Sequence, residues 1–132
     1  KFAHNDVDAL AELLGQEVQG DRIVCVEGVY SMDGDLAPLD EIVPLAKRHN
    51  ALVILDDAHG VGVVGREGRG AADHFGVSSD VDMMVGTFSK VFGVTGGVAT
   101  SAARGGVIDL PSVGGIGHAR MGHRQDKPKP KG

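Results

Sequence analysis

Two short polar stretches, each following an apolar run, hold the residue types that do chemistry. The first is Asp56-Asp57-Ala58-His59-Gly60, after Ala51-Leu52-Val53-Ile54-Leu55; the second is Gly86-Thr87-Phe88-Ser89-Lys90, after Val81–Val85. A short apolar run bounded by polar residues reads as a buried strand of a parallel sheet. In open α/β sheets, ligands sit at the carboxyl ends of strands, so each stretch is expected at a strand's mouth. An amine held at such an apolar mouth, Lys90, loses solvation and becomes more readily neutral and nucleophilic, which a Schiff-base lysine requires. Asp56 reads either as a carboxylate facing a cation in a low-dielectric site or as a strand-end cap on the next turn. Thr87 and Ser89 offer hydroxyls and neighbouring amides suited to a phosphate.

One cofactor would use all of these groups. Pyridoxal phosphate carries an aldehyde for an amine, a ring nitrogen kept protonated by an acid, a phosphate and a ring hydroxyl. His59, three residues past Asp56, is within reach of that hydroxyl.

The elements that must position these groups follow from periodicity. Apolar residues at 7, 10, 13 and 14 predict a helix, with Asp6 as N-cap, ended by Gly15 to Gly20. Arg22–Glu27 reads as a β-branched strand, with Cys25 as a small buried hydrophobe. A polar loop follows, then a helix with Pro38 in its first turn, an apolar face of Leu39, Ile42, Val43, Leu45 and Ala46, and Asn50 as its stop. Strand 51–55 completes a βαβ unit. Residues 71–76 predict a short helix, 81–86 a third strand and 96–100 a fourth. The connection to the fourth is too short for a parallel crossover, so it is expected to be antiparallel.

Composition sets the bounds. The chain has 132 residues, a formal charge of −5 and one cysteine. A single domain, no internal disulfide and a reducing, cytoplasmic setting are expected. Residues 1–100 hold seven Lys/Arg against sixteen Asp/Glu, and residues 101–132 hold six against two. The acidic body argues against a nucleic-acid partner, and no run is long enough for a membrane segment. Lys1-Phe2-Ala3-His4 lacks an initiator Met and reads as an internal start. Beyond Ser101 periodicity fails, and 101–132 reads as an atypical Gly-rich, basic tail, largely disordered over 111–132.

Four motifs in order, over residues 2–100, make the chain resemble the α-oxoamine synthases. They are Glu27-Gly-Val-Tyr-Ser31-Met-Asp33-Gly-Asp35, Asp56-Asp-Ala-His59-Gly-Val-Gly, Gly65-Arg-Glu-Gly-Arg-Gly70 and Gly86-Thr87-Phe-Ser-Lys90. These are fold-type I pyridoxal phosphate enzymes related to class II aminotransferases. The group includes 8-amino-7-oxononanoate synthase, glycine C-acetyltransferase, serine palmitoyltransferase and 5-aminolevulinate synthase. The resemblance implies part of an α/β large domain, with a mostly parallel sheet and helices on both faces. It implies Lys90 as the Schiff-base lysine, Asp56 at the pyridine nitrogen, His59 at the phenolic oxygen with Ser31 near the same edge, and Thr87 with Ser89 at the phosphate. Glu27 matches a motif acid without an assigned role. The reaction implied joins an amino acid to an acyl-CoA, giving a 2-amino ketone, in a homodimer. Other parts of the family's site, including a glycine turn, a residue stacking on the ring and a substrate-carboxylate arginine, are not found in the chain. Arg104 and Arg120 are not assigned that last role.

Other readings remain. A class I or II aminotransferase would use the same pyridoxal phosphate site. Gly60-Val-Gly62-Val-Val-Gly65, with Asp80 or Asp82 some twenty residues on, matches a dinucleotide-binding fingerprint. Against it, charges and further glycines follow where an apolar helix should open. A metal at Asp56, Asp57 and His59 lacks a second histidine at ligand spacing. His4, His49, His74, His118 and His123 read as surface or capping residues. A further reading is a non-catalytic fragment that keeps the signature.

Overall fold

The computed structural model describes residues 1–101 and 106–110. The expectation of disorder over 111–132 lies outside the described residues.

The N-terminal helix is α1, Val7–Gly15; the Asp6 side chain caps it by accepting from Ala9 N–H at 2.8 Å. Strand β1 is Arg22–Glu27, helix α2 is Leu39–Arg48 and strand β2 is Ala51–Asp56. Pro38 occupies the cap of α2 rather than its first turn. Pro44 lies inside α2 on its exposed side, where a missing N–H costs least. Asn50, at φ 52°, ends the run and turns the chain directly into β2. A four-residue helix α3, Ala71–His74, precedes strand β3, Met83–Thr87. Strands β4, Gly97–Ser101, and β5, Gly106–Leu110, complete the sheet.

The five strands lie in sequence order. β1, β2 and β3 are parallel neighbours, while β4 pairs antiparallel with β3, as its short connection requires. β5 pairs antiparallel with β4. Periodicity offered no element at β5, because the apolar part of Gly106-Val107-Ile108-Asp109-Leu110 is too short to display one; its partner is β4.

Register levels the carboxyl ends of the parallel strands. Glu27 pairs with Asp56, and Asp56 with Val85. Side chains alternate between faces. Val24, Val26, Ala51, Val53 and Leu55 are buried, and with Leu39, Ile42 and Val43 of α2, Leu10 and Leu14 of α1 and Ala71 and Ala72 of α3 they form one core. Each large aliphatic side chain buried there contributes about 1.5–3 kcal/mol.

The alternate residues face the other way, and the expectation of a strand buried on both faces does not hold. Ile23 is 58% exposed and Leu52 47%. Cys25, expected in the core, is exposed because it has the parity of Ile23 rather than of Val24. The second face of β1 and β2 carries no described helix.

The opposite end of the sheet is tied by Asp82. Its carboxylate accepts from Lys47 Nζ at the end of α2 and from Val53 N–H of β2 at 2.7 Å. Burial pushes the Asp82 carboxyl up, but Lys47 and the Val53 amide outweigh it and hold the group below its ordinary value. That stabilisation is present above the unfolded value of 3.8 and is lost as pH falls through the folded one. Asp82→Ala leaves the Val53 N–H and Lys47 without their acceptor. It should lower unfolding free energy at pH 7 by about 1–3 kcal/mol, and the difference from the unaltered protein should shrink towards zero in denaturant titrations run at progressively more acid pH.

Candidate active site at the carboxyl end of the sheet

The two polar stretches meet. Asp56 ends β2 and Thr87 ends β3, its immediate parallel neighbour. Asp57 N–H donates to Val85 O at 2.8 Å, continuing the β2–β3 pairing past the strand end. Beyond the strands, Val91 packs on Gly62, where an added Cβ would stand 2.6 Å from Val91 Cγ1. The residue after Lys90 therefore touches the loop that begins at His59.

Parity decides which side faces a ligand. Asp56 has the parity of Leu52 and Ile54 and is exposed; Glu27 pairs with it in register, and Thr87 follows Met83 and Val85 by even steps. Glu27, Asp56 and Thr87 thus share the open face at one end of the sheet. Asp56 also performs the capping role, its Oδ1 accepting from Ala58 N–H at 3.1 Å. His59 is half-buried in the turn that follows.

The phosphate candidates are built into their own loop. Thr87 Oγ1 lies 2.7 Å from Ser89 Oγ and donates to Gly96 O at 3.0 Å, while Ser89 N–H donates to Thr87 Oγ1 at 3.2 Å. Phe88 N–H donates to Gly96 O and Val94 N–H to Phe88 O, closing the loop that carries Lys90. Lys90 itself is exposed. The desolvation expected of it is not supplied by the described residues, because Val91, Phe92 and Val94 around it are themselves 44–57% exposed. Ser31 is also exposed, on the loop leaving β1, and its N–H donates to Glu27 Oε2 at 3.1 Å. Glu27, which had no assigned role, thus holds the backbone of the Ser31 loop.

The dinucleotide reading fails on geometry. The glycine turn leads into a 3-10 turn, Arg66–Gly68, and then a four-residue helix rather than a long one. Asp82 sits level with Val53, three residues or about 10 Å of strand from the Asp56 end.

Asp57, read from the sequence only as a metal-ligand candidate beside Asp56 and His59, is the one fully buried charged residue among the described residues. The signal was present: Asp57 extends the parity of Val53 and Leu55, so its side chain points into the core. Its Oδ2 accepts from Ala71 N–H at 2.8 Å, and Oδ1 has no partner among the described residues. Gly28, Gly60 and Gly70 close around the carboxyl group so tightly that a Cβ at any of them would overlap it.

An α/β sheet of this order, with an acid and a lysine at its carboxyl end, is the fold of the large domain of fold-type I pyridoxal phosphate enzymes. The chain belongs to the aminotransferase class I and II family, whose model matches residues 1–110. It is 54% identical over 97 residues to 8-amino-7-oxononanoate synthase of Thermosipho melanesiensis, covering 73% of this chain and 25% of that protein. To the synthase of the same name from Geobacter sulfurreducens it is 44% identical over 111 residues, covering 83% of this chain and 28% of the relative. Among solved structures, Sphingomonas wittichii serine palmitoyltransferase superposes with a TM-score of 0.72 at 47% identity, over 75% of this chain and 25% of that one. A serine palmitoyltransferase from S. paucimobilis with a bound PLP–myriocin aldimine superposes at 0.71 and 44% identity, over 75% and 26%. The chain therefore spans about a quarter of the length of the relatives it matches. Among the described residues, no helix is long and apolar enough to cross a membrane.

Burial pushes the Asp57 carboxyl up from 3.8 to about 6; the Ala71 N–H opposes this and the neighbouring Asp56 charge adds to it. A raised folded value means that the contribution of Asp57 to stability is fully present below 3.8 and is lost as pH rises through about 6. Asp57→Asn, which does not ionise, should flatten this part of the stability profile, so that the variant gains on the unaltered protein between pH 4 and pH 7 in thermal melts.

Proposed function

We propose that the protein is a pyridoxal phosphate-dependent acyltransferase of the α-oxoamine synthase type, joining an amino acid to an acyl-CoA to give a 2-amino ketone. One observation carries this reading. Asp56 and Thr87 end two adjacent parallel strands on the same open face, and the loop that Thr87 opens carries Ser89, bonded to Thr87, and the exposed Lys90. The names of the relatives, 8-amino-7-oxononanoate synthase and serine palmitoyltransferase, favour acyl transfer over amino-group transfer at the same site.

The donor set suits the cofactor. A carboxylate complements a protonated ring nitrogen, hydroxyls complement a phosphate and an amine complements an aldehyde. When bound, pyridoxal phosphate supplies an electron-withdrawing ring that stabilises negative charge on the adjoining substrate carbon. Asp56 would hold the ring nitrogen's proton, the charge partner without which the withdrawal weakens. Thr87 and Ser89 would anchor the phosphate, and His59, with Ser31 near the same edge, would orient the phenolic oxygen. Lys90 Nζ would hold the aldehyde carbon until a substrate amine replaces it, then carry a proton to or from the reacting carbon.

The chain spans about a quarter of its relatives' length, and the described residues leave the ligand-facing side of the sheet open at Ile23 and Leu52. Water therefore reaches Lys90 and Asp56, and electrostatic stabilisation is weak there. We infer that turnover belongs to a larger assembly, the homodimer that the family resemblance implies, in the cytoplasmic setting expected from composition, with little or none from these residues alone. Robust condensation by the 132-residue chain would overturn that part.

Lys90 is the decisive residue. Borohydride reduction of the cofactor-loaded intact protein, followed by peptide mass analysis, should place the cofactor on Lys90, and Lys90→Ala should remove it. Asp56→Ala should keep the attachment but lower condensation at least about a hundredfold. A cofactor trapped on another lysine would refute the assignment.

A further inference from the structure

We propose that Asp57 is a positioning residue, which fixes where Asp56 and His59 stand against the Thr87–Lys90 loop. The inference rests on the proposed pyridoxal phosphate site and deepens it.

Asp57 is held from four directions. Its N–H donates to Val85 O at 2.8 Å, tying it to β3 two residues before Thr87. Its C=O accepts from Gly60 N–H at 3.1 Å and Val61 N–H at 3.0 Å, which winds the turn that contains His59. Its Oδ2 accepts from Ala71 N–H at 2.8 Å, at the start of α3. Glycines from three separate segments wrap the carboxyl group: Gly28 at the exit of β1, Gly60 in the His59 turn and Gly70 before α3. Gly28 N–H in turn donates to Asp56 O at 2.8 Å.

Packing alone does not explain the residue. An apolar side chain would fill the same space without the cost of burying a carboxyl group, and Oδ1 gains no hydrogen bond there among the described residues. What the carboxyl group supplies is the link to Ala71, fourteen residues along the chain. That link closes the Gly60–Gly70 loop onto the strand end. Asp56 is one peptide away and its Oδ1 binds the next amide, Ala58 N–H, so any rotation at Asp57 swings the Asp56 carboxylate and the His59 turn together.

The test uses the intact protein with Asp57→Asn, which keeps an oxygen for Ala71 N–H and the side-chain volume. The variant should still melt cooperatively. Without the charge-assisted bond, amide exchange at Gly60 and Val61 should rise about tenfold in the cofactor-free protein. Pyridoxal phosphate should bind on the order of ten- to a hundredfold more weakly, and the pH midpoint of the bound cofactor's visible absorbance should move by about one unit. Asp57→Ala, which removes the acceptor for Ala71, should show larger changes in the same directions. If both variants only melt at lower temperature, with exchange and pH midpoint unchanged, Asp57 is merely structural and the proposal falls. Loss of cooperative melting in Asp57→Asn would also overturn it, because the amide retains the acceptor and the volume. If the unaltered protein forms no linkage at Lys90, the proposed function fails by itself, and exchange at Gly60 and Val61 alone decides the role of Asp57.

Discussion

The register of three parallel strands is the constraint on which the rest depends. Because Glu27, Asp56 and Val85 lie level, every segment leaving the sheet at that end starts from one line. Because side chains alternate, each departing strand offers one residue to the open face and the next to the core. At the end of β2 that division falls between two adjacent carboxylates. Asp56 goes to the open face and Asp57 to the interior, so one dipeptide supplies both a group able to meet a ligand and a group able to hold the turn. A slip of one residue in the β1–β2 pairing would exchange the two.

The glycines are intelligible once Asp57 is seen as buried. Gly70, at φ 98°, adopts a backbone that favours glycine and also lies against the carboxyl group, whereas Gly28 and Gly60 are required only by the close approach. A composition of 21 glycines in 132 residues suggests loose loops. Between Gly60 and Gly70, however, the chain is tightly bonded: Gly62 N–H donates to Gly68 O and Gly70 N–H to Val64 O, both within the loop. The same loop presents Gly62 to Val91 and so braces the segment behind Lys90.

Much of this was legible in the sequence, for local reasons. The Asp6 cap, the apolar face of α2, the stop at Asn50 and the antiparallel β4 each follow from a few neighbouring residues and a chain length. What escaped was set by contacts distant in the chain. Cys25 and Leu52 look like core in a continuous apolar run, because sequence alone does not show which face is covered. β5 depends on β4 for its hydrogen bonds and shows no period of its own. The burial of Asp57 was hidden by its neighbour: beside a residue with an evident chemical use, the second acid of a pair is read with the first until its parity is counted.

The face that the described residues leave open and the exposure of Lys90 go together. Ile23, Cys25 and Leu52 crop out on the same face of the sheet as Asp56, and a strand rich in β-branched and aliphatic residues on both sides is what a sheet covered on both sides requires. The apolar character of that outer face is therefore a demand for further packing, written into the strands. Matching only a quarter of the relatives' length is consistent with this demand being met elsewhere in such proteins. Whatever covers Ile23 and Leu52 would also roof the space above Asp56 and lower the dielectric around Lys90. The desolvation that a nucleophilic amine needs and the burial that this sheet needs would then come from the same layer. The described residues hold Glu27, Asp56 and Thr87 on one face at the level ends of the strands. The dry environment that the proposed chemistry needs has to come from what packs against that face.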